Sequence, residues 1–159
     1  MSKLILGIDS SLSCPAFSVV KVTDGKAEVV ELSHIKTNNK KSTGYRLWQI
    51  YVHFKDILDR YDFDEIVIEK GFNRFAVATQ QIQRTVGLLL FTLYRKEVEE
   101  IHELAPTSVK KYITGDGKAS KEKLANGLEN YVGKIKYKNN DESDATGVAL
   151  ALAIQKGWL

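Results

Sequence analysis

The apolar and polar positions divide the chain into ten segments. Lys3–Asp9 carries Leu4-Ile5-Leu6-Gly7-Ile8 ahead of an acid, the pattern of a buried strand. Ala16–Val22 and Ala27–Ile35 read as two more strands. Thr23-Asp24-Gly25-Lys26 joins them, and Asp-Gly between β-rich runs is a strong hairpin signal. These three strands form an antiparallel meander. Lys36–Thr43 is a polar, lysine-rich loop. From there to about Arg60, Leu47, Ile50, Tyr51, Phe54, Ile57 and Leu58 recur at three- and four-residue spacing, which predicts an amphipathic helix. Asp64–Glu69 is short and β-branched, a strand covered on both faces.

Gly71–Arg74 reads as a loop. Phe75–Lys96 reads as a long helix, with Ile82, Val86, Leu89, Leu90 and Leu93 as its apolar side. Val98–Leu104 is expected to be a fifth strand. Pro106 marks a helix start, giving a short helix Thr107–Ile113 that Thr114-Gly115-Asp116-Gly117 ends. Ser120–Val132 is a further helix, Lys134–Asn140 a basic polar loop, and Asp141–Gln155 the last helix. Val148, Leu150, Ala151, Leu152 and Ile154 of that helix pack inward. The order β-β-β-α-β-α-β-α-α-α predicts an α/β fold, a five-stranded mixed sheet flanked by helices. At 159 residues, without repeats or an interdomain linker, residues 1–159 are expected to form one domain.

Composition narrows the classes. The fractions of apolar (43%) and charged (27%) residues are those of an ordinary globular protein. No apolar run approaches the roughly 20 residues that span a bilayer, and the N-terminus lacks a signal-peptide layout, so a cytoplasmic location is expected. The single cysteine, Cys14, excludes an intramolecular disulfide and a cysteine zinc cage; it reads as a small buried or half-buried side chain.

Four carboxylates change the picture. Asp9 ends the first apolar strand, Glu69 ends Ile66-Val67-Ile68, and Asp141 and Asp144 open the last helix. Acids at strand ends and on a helix's first turn can meet at one sheet edge. Each has a bland alternative: a solvent-facing strand end for Asp9 and Glu69, and a favourable N-terminal charge or cap for the helix pair. Three-residue spacing nevertheless sets Asp141 and Asp144 on one helix face. Clustered acids repel one another unless cations join them, so the pattern asks for divalent metal. Two such ions, about 3.5–4 Å apart, would drive phosphodiester hydrolysis, one activating water and the other stabilising the leaving 3′-oxygen. With the four acids set aside, 23 basic residues face 16 acidic ones, a balance of +7 in place of +3. A basic surround suits a polyphosphate partner.

Leu6-Gly7-Ile8-Asp9, Val67-Ile68-Glu69-Lys70-Gly71-Phe72 and Asp141-Glu142-Ser143-Asp144-Ala145, in this order, together with Ser108-Val109-Lys110-Lys111 and Ala119-Ser120-Lys121, resemble the RuvC-type Holliday junction resolvases of the RNase H-like (retroviral-integrase) superfamily. The resemblance runs over nearly the whole chain. It implies a metal-dependent endonuclease using Mg²⁺, with Mn²⁺ substituting, and Asp9, Glu69, Asp141 and Asp144 as catalytic metal ligands. It implies Lys110 and Lys121 as holders of DNA phosphates and Phe72 as an aromatic that stacks at the junction centre. Lys70 and Arg74 flank Phe72 with positive charge, which suits stacking plus phosphate contact. The resemblance also implies a homodimer, whose two sites would make paired nicks in a two-fold junction. Phe75–Lys96 is the candidate interface, with Gln80, Gln81, Gln83 and Arg84 turned to DNA or the partner. Ser10-Ser11-Leu12-Ser13-Cys14-Pro15 departs from the Pro-Gly or Gly-rich segment frequent in the family. The end at Trp158-Leu159, lacking an extended basic tail, fits compact phage-borne relatives.

Two rival functions remain at this point. A branched-DNA-binding protein of the same fold, without cleavage, would use the same basic and aromatic residues but has no use for four acids. A nucleotide-binding kinase or actin-like fold would share Gly7-Ile8-Asp9-Ser10-Ser11 but needs two such domains around a cleft.

Overall fold

The computed structural model describes residues 1–70 and 76–159, the side chains of 76–78 excepted. The elements in chain order are β1 (Ser2–Asp9), β2 (Ala16–Thr23), β3 (Lys26–His34), α1 (Thr43–Arg60), β4 (Glu65–Glu69), α2 (Ala76–Arg95), β5 (His102–Leu104), α3 (Pro106–Thr114), α4 (Lys121–Val132) and α5 (Asn140–Gln155). The strands form one sheet in the order β3-β2-β1-β4-β5. The pairs β1–β2 and β2–β3 are antiparallel, and β4 runs parallel to both β1 and β5. The β2–β3 turn has Asp24 (φ 48°) and Gly25 (φ 76°) both left-handed, as a tight two-residue hairpin demands.

Alternation along β1 divides the core into two layers. Leu6 and Ile8 face α1 and α2, where Phe17, Ile50, Phe54, Ile57, Leu89 and Leu93 join them. Ile5 faces the opposite side, packed with Val67, Val148 and Leu152. Here α5 lies on the sheet with α3 packed on it, while α4 packs against α3 and against β3. Residues 145–153 of α5 are buried around the whole circumference, which is why the helix is apolar on every side. Small residues line its contact with the strands: a Cβ built on Gly7 would stand 2.1 Å from the Ala145 carbonyl oxygen and 2.8 Å from the Ala149 Cβ. Only glycine allows the helix backbone this close to β1. Beside it, the hydroxyls of Ser18 and Thr146 are hydrogen-bonded at 2.8 Å in the core, tying α5 to β2.

Two expectations need correction. β5 spans three residues where seven were expected. It is an edge strand pairing only with the last three residues of β4, and Glu99 and Glu100 stay exposed in water. Val98 and Ile101 pack instead against the α1–α2 layer. On α2, Leu90 is exposed. The buried face runs through Thr85, Leu89, Thr92 and Leu93, because Thr85 and Thr92 satisfy their hydroxyls on the carbonyls of Gln81 and Leu88 and so tolerate burial.

Candidate metal centre

The parallel register pairs Asp9 directly with Glu69 at the carboxyl ends of β1 and β4. Asp9 lies two residues beyond Gly7, on the same face of the strand. The close approach at Gly7 therefore delivers the first turn of α5 to Asp9. Carboxylate oxygens of Asp9, Asp141 and Asp144 lie within 4.8 Å of one another, all three residues half-buried. Glu69 flanks this trio on the neighbouring strand.

The start of α5 is held by other groups. Asn139 is the N-cap, its side-chain oxygen accepting the Glu142 amide at 3.0 Å. Glu142 is buried, accepts the Lys138 amide at 3.0 Å through Oε1 and pairs with His34 Nδ1 at 2.7 Å through Oε2. Capping is thus done without Asp141 or Asp144; Asp141 keeps a place in the first turn that suits a negative charge, and both acids lie close to Asp9.

The electrostatics follow. Burial first, then repulsion from Glu69 and Asp144, pushes Asp9 up to about 9, and a hydrogen bond with Asp141 also favours its protonated form. Burial and Asp144 raise Glu69 to about 7, while Lys110 pulls it back. Asp144 is raised by burial and by Asp141, against the fields of Lys121 and Lys110. Like charges within 4.8 Å, at an effective dielectric of about 20, cost about 3.5 kcal/mol per pair. Hard oxygen donors, half-buried and mutually repelling, fit a divalent cation.

The structure brings Asp9, Asp141 and Asp144 to one place, sets Glu69 beside them on the neighbouring strand and puts Lys110 and Lys121 within electrostatic reach. Lys70, next to Glu69, is exposed. Phe72 and Arg74 lie outside the described residues. Cys14 is half-buried as expected, and it adjoins the acids: Asn139 Nδ2 donates to its sulfur at 3.5 Å, and burial together with Asp141 pushes its thiol up to about 11. A thiol held this firmly protonated is a poor nucleophile. Sequence reasoning missed Gly7, Asn139, Glu142 and His34 as positioning residues. Asn139 carried a readable signal, a capping-type side chain three residues before its amide partner.

A mixed sheet with an acidic trio where the first turn of a buried helix meets the carboxyl ends of the central strands is the arrangement of the RNase H-like, metal-dependent nuclease class. Within it, residues 5–155 match the family model of the crossover junction endodeoxyribonuclease RuvC, and the chain belongs to the RuvC family. RuvC of Ehrlichia chaffeensis is 32% identical over 153 residues, covering 96% of this chain and 97% of its own. RuvC of Ehrlichia ruminantium (strain Gardel) is 34% identical over 150 residues, with 92% and 93% covered. In fold, the chain superposes on Thermus thermophilus RuvC solved with a Holliday junction substrate at a TM-score of 0.90 and 22% identity, covering 97% of this chain and 94% of that one.

Proposed function

We propose that residues 1–159 act as one nuclease domain that resolves four-way and other branched DNA by hydrolysing one phosphodiester in each of two strands. The observation that carries this is the convergence of three carboxylates from opposite ends of the chain, with Glu69 alongside and Lys110 and Lys121 at the margin. Asp9, Glu69, Asp141 and Asp144 would hold Mg²⁺, or Mn²⁺ in its place. Such ions supply Lewis acidity toward the phosphate and toward the attacking water.

The chain's own residues do the rest. The strand ends fix Asp9 and Glu69 side by side, and the buried helix fixes Asp141 and Asp144, so the acids are organised before DNA arrives. Lys110 and Lys121 attract the phosphates that the acids alone would repel. Water replaces the 3′-oxygen at phosphorus, leaving a 5′-phosphate and a 3′-hydroxyl. Lys70, Phe72 and Arg74 would contact the junction strands beyond the cut. A homodimer supplies the second nick, and α2 fits as its interface: Phe91 and Tyr94 are 59% and 63% exposed, with Leu90 beside them. Gln80, Gln83 and Arg84 on the same helix are exposed as well.

Cleavage of an end-labelled four-way junction with Mg²⁺, and with EDTA, tests the reading. Symmetric nicks that need the metal are expected. Binding without cleavage would favour the binding-only protein. Asp9→Asn and Glu69→Gln are each expected to abolish cutting and spare junction binding; wild-type turnover in either variant removes that residue from the site.

A further inference from the structure

A cavity of about 530 Å³ opens directly beside the acid cluster, between α4, residues 133–140 and the first turn of α5. Its volume falls in the usual range of about 300–1,000 Å³ for sites that take a small organic group. Asp144 belongs to both the acid trio and the cavity wall, so the two sites share an edge.

The lining has two kinds of surface. Leu124, Leu128, Ile135 and Tyr137 make it apolar, whereas Lys121, Asn140 and Ser143 supply polar groups. Residues 134–138 alternate strictly: Ile135 and Tyr137 are half-buried, and Lys134, Lys136 and Lys138 are exposed. The Tyr137 hydroxyl is fully buried, near Thr146 but without a hydrogen-bond partner among the described residues, so the ring lies with its polar end inward. An aromatic and aliphatic wall suits the flat face of a nucleobase. Exposed lysines on both sides, Lys121 near the acids and the 134–138 row beyond, suit the phosphates before and after it.

We propose that this cavity is a nucleotide subsite, which takes the base adjoining the cleaved phosphate and thereby sets which sequence is cut. The inference rests on the nuclease reading above and extends it. A strand whose phosphate lies against Asp144 has its next nucleotide at the cavity mouth. Seating that base in the cavity requires it to leave its stack. The carboxamide of Asn140 offers both a donor and an acceptor with which to tell one base edge from another.

The test uses the full chain and a four-way junction carrying 5-iododeoxyuridine, moved one position at a time across the cut site, with Ca²⁺ in place of Mg²⁺. Irradiation is expected to cross-link the nucleotide next to the cut to Tyr137 or its neighbours in 133–140, located by peptide mass spectrometry. Ala125→Trp, a substitution at an exposed position on the cavity wall, is expected to lower that cross-link at least tenfold. It should also reduce by about tenfold the ratio of kcat/KM between favoured and disfavoured bases at that nucleotide. Cross-links that map to other elements, or equal wild-type cleavage of all four bases, overturn the subsite while junction cleavage stands. A chain that neither binds nor cuts the junction overturns the nuclease reading and the subsite together.

Discussion

Raising the pH from 6 to 8 should strengthen metal binding about a thousandfold. Asp9, at about 9, and Glu69, at about 7, hold protons that a cation must displace. Over those two pH units the Asp9 proton alone accounts for about a hundredfold and the Glu69 proton for about tenfold, together about 4 kcal/mol. Asp144, raised as well, adds in the same direction. The same protons set the heat. Calorimetric titration with Mn²⁺ in two buffers of different ionisation enthalpy should find about two protons released per ion at pH 6 and about one at pH 8. In Asp9→Asn the dependence should shrink to the Glu69 part, about tenfold. An affinity that stays constant from pH 6 to 8, with no buffer-dependent heat, refutes the reasoning. The stability of the metal-free protein carries the opposite sign. The folded chain keeps an Asp9 proton that the unfolded chain, near 3.8, gives up. That contribution is complete below about pH 4 and is lost as pH climbs through about 9, so Tm in EDTA should fall over this span. Mg²⁺ should restore Tm at pH 8.

Other perturbations probe the remaining architecture. Gly7→Ala forces a methyl against the Ala145 carbonyl, and overpacking of this kind costs about 1–3 kcal/mol; denaturant unfolding should register that loss, with cleavage falling further as α5 is pushed off the acids, and wild-type values for both would refute the close-packing account. Lys110→Ala should lower the slope of log binding constant against log salt by about 0.7–0.9, and an unchanged slope would make Lys110 ordinary surface charge. Phe91→Asp should convert a dimer to a monomer in sedimentation experiments and abolish paired nicking; a variant that stays dimeric moves the interface off α2.

Local signals made much of the fold legible. Asp24-Gly25 forces its hairpin by backbone chemistry alone, and the three- and four-residue spacing of Ile50, Phe54 and Ile57 faces one side whatever the partner. Asp9 and Glu69 stood out because each ends an apolar strand, a place where charge is costly without a partner, and Asp141 and Asp144 because three-residue spacing sets them on one helix face. What depends on distant neighbours was not readable. Gly7 gives no hint in its own segment that the Ala145 carbonyl presses on it, 138 positions away in the chain. The Glu142–His34 pair joins a helix start to the far end of β3. The length of β5 was misjudged because hydrophobic Val98 and Ile101 serve the opposite layer, and nothing local distinguishes that from a strand.

Residues 145–153 of the helix that carries Asp141 and Asp144 are enclosed on every side, and this limits how the enzyme can work through a turnover. Amide hydrogens in 145–153 should exchange only through global unfolding, on the slowest timescale the molecule offers. Asp141 and Asp144, half of the proposed ion-binding set, are therefore mounted on the turn that leads directly into the least yielding part of the structure. Loading, cutting and release must be accommodated by movement of the DNA and of whatever grips it, against an anvil that does not give.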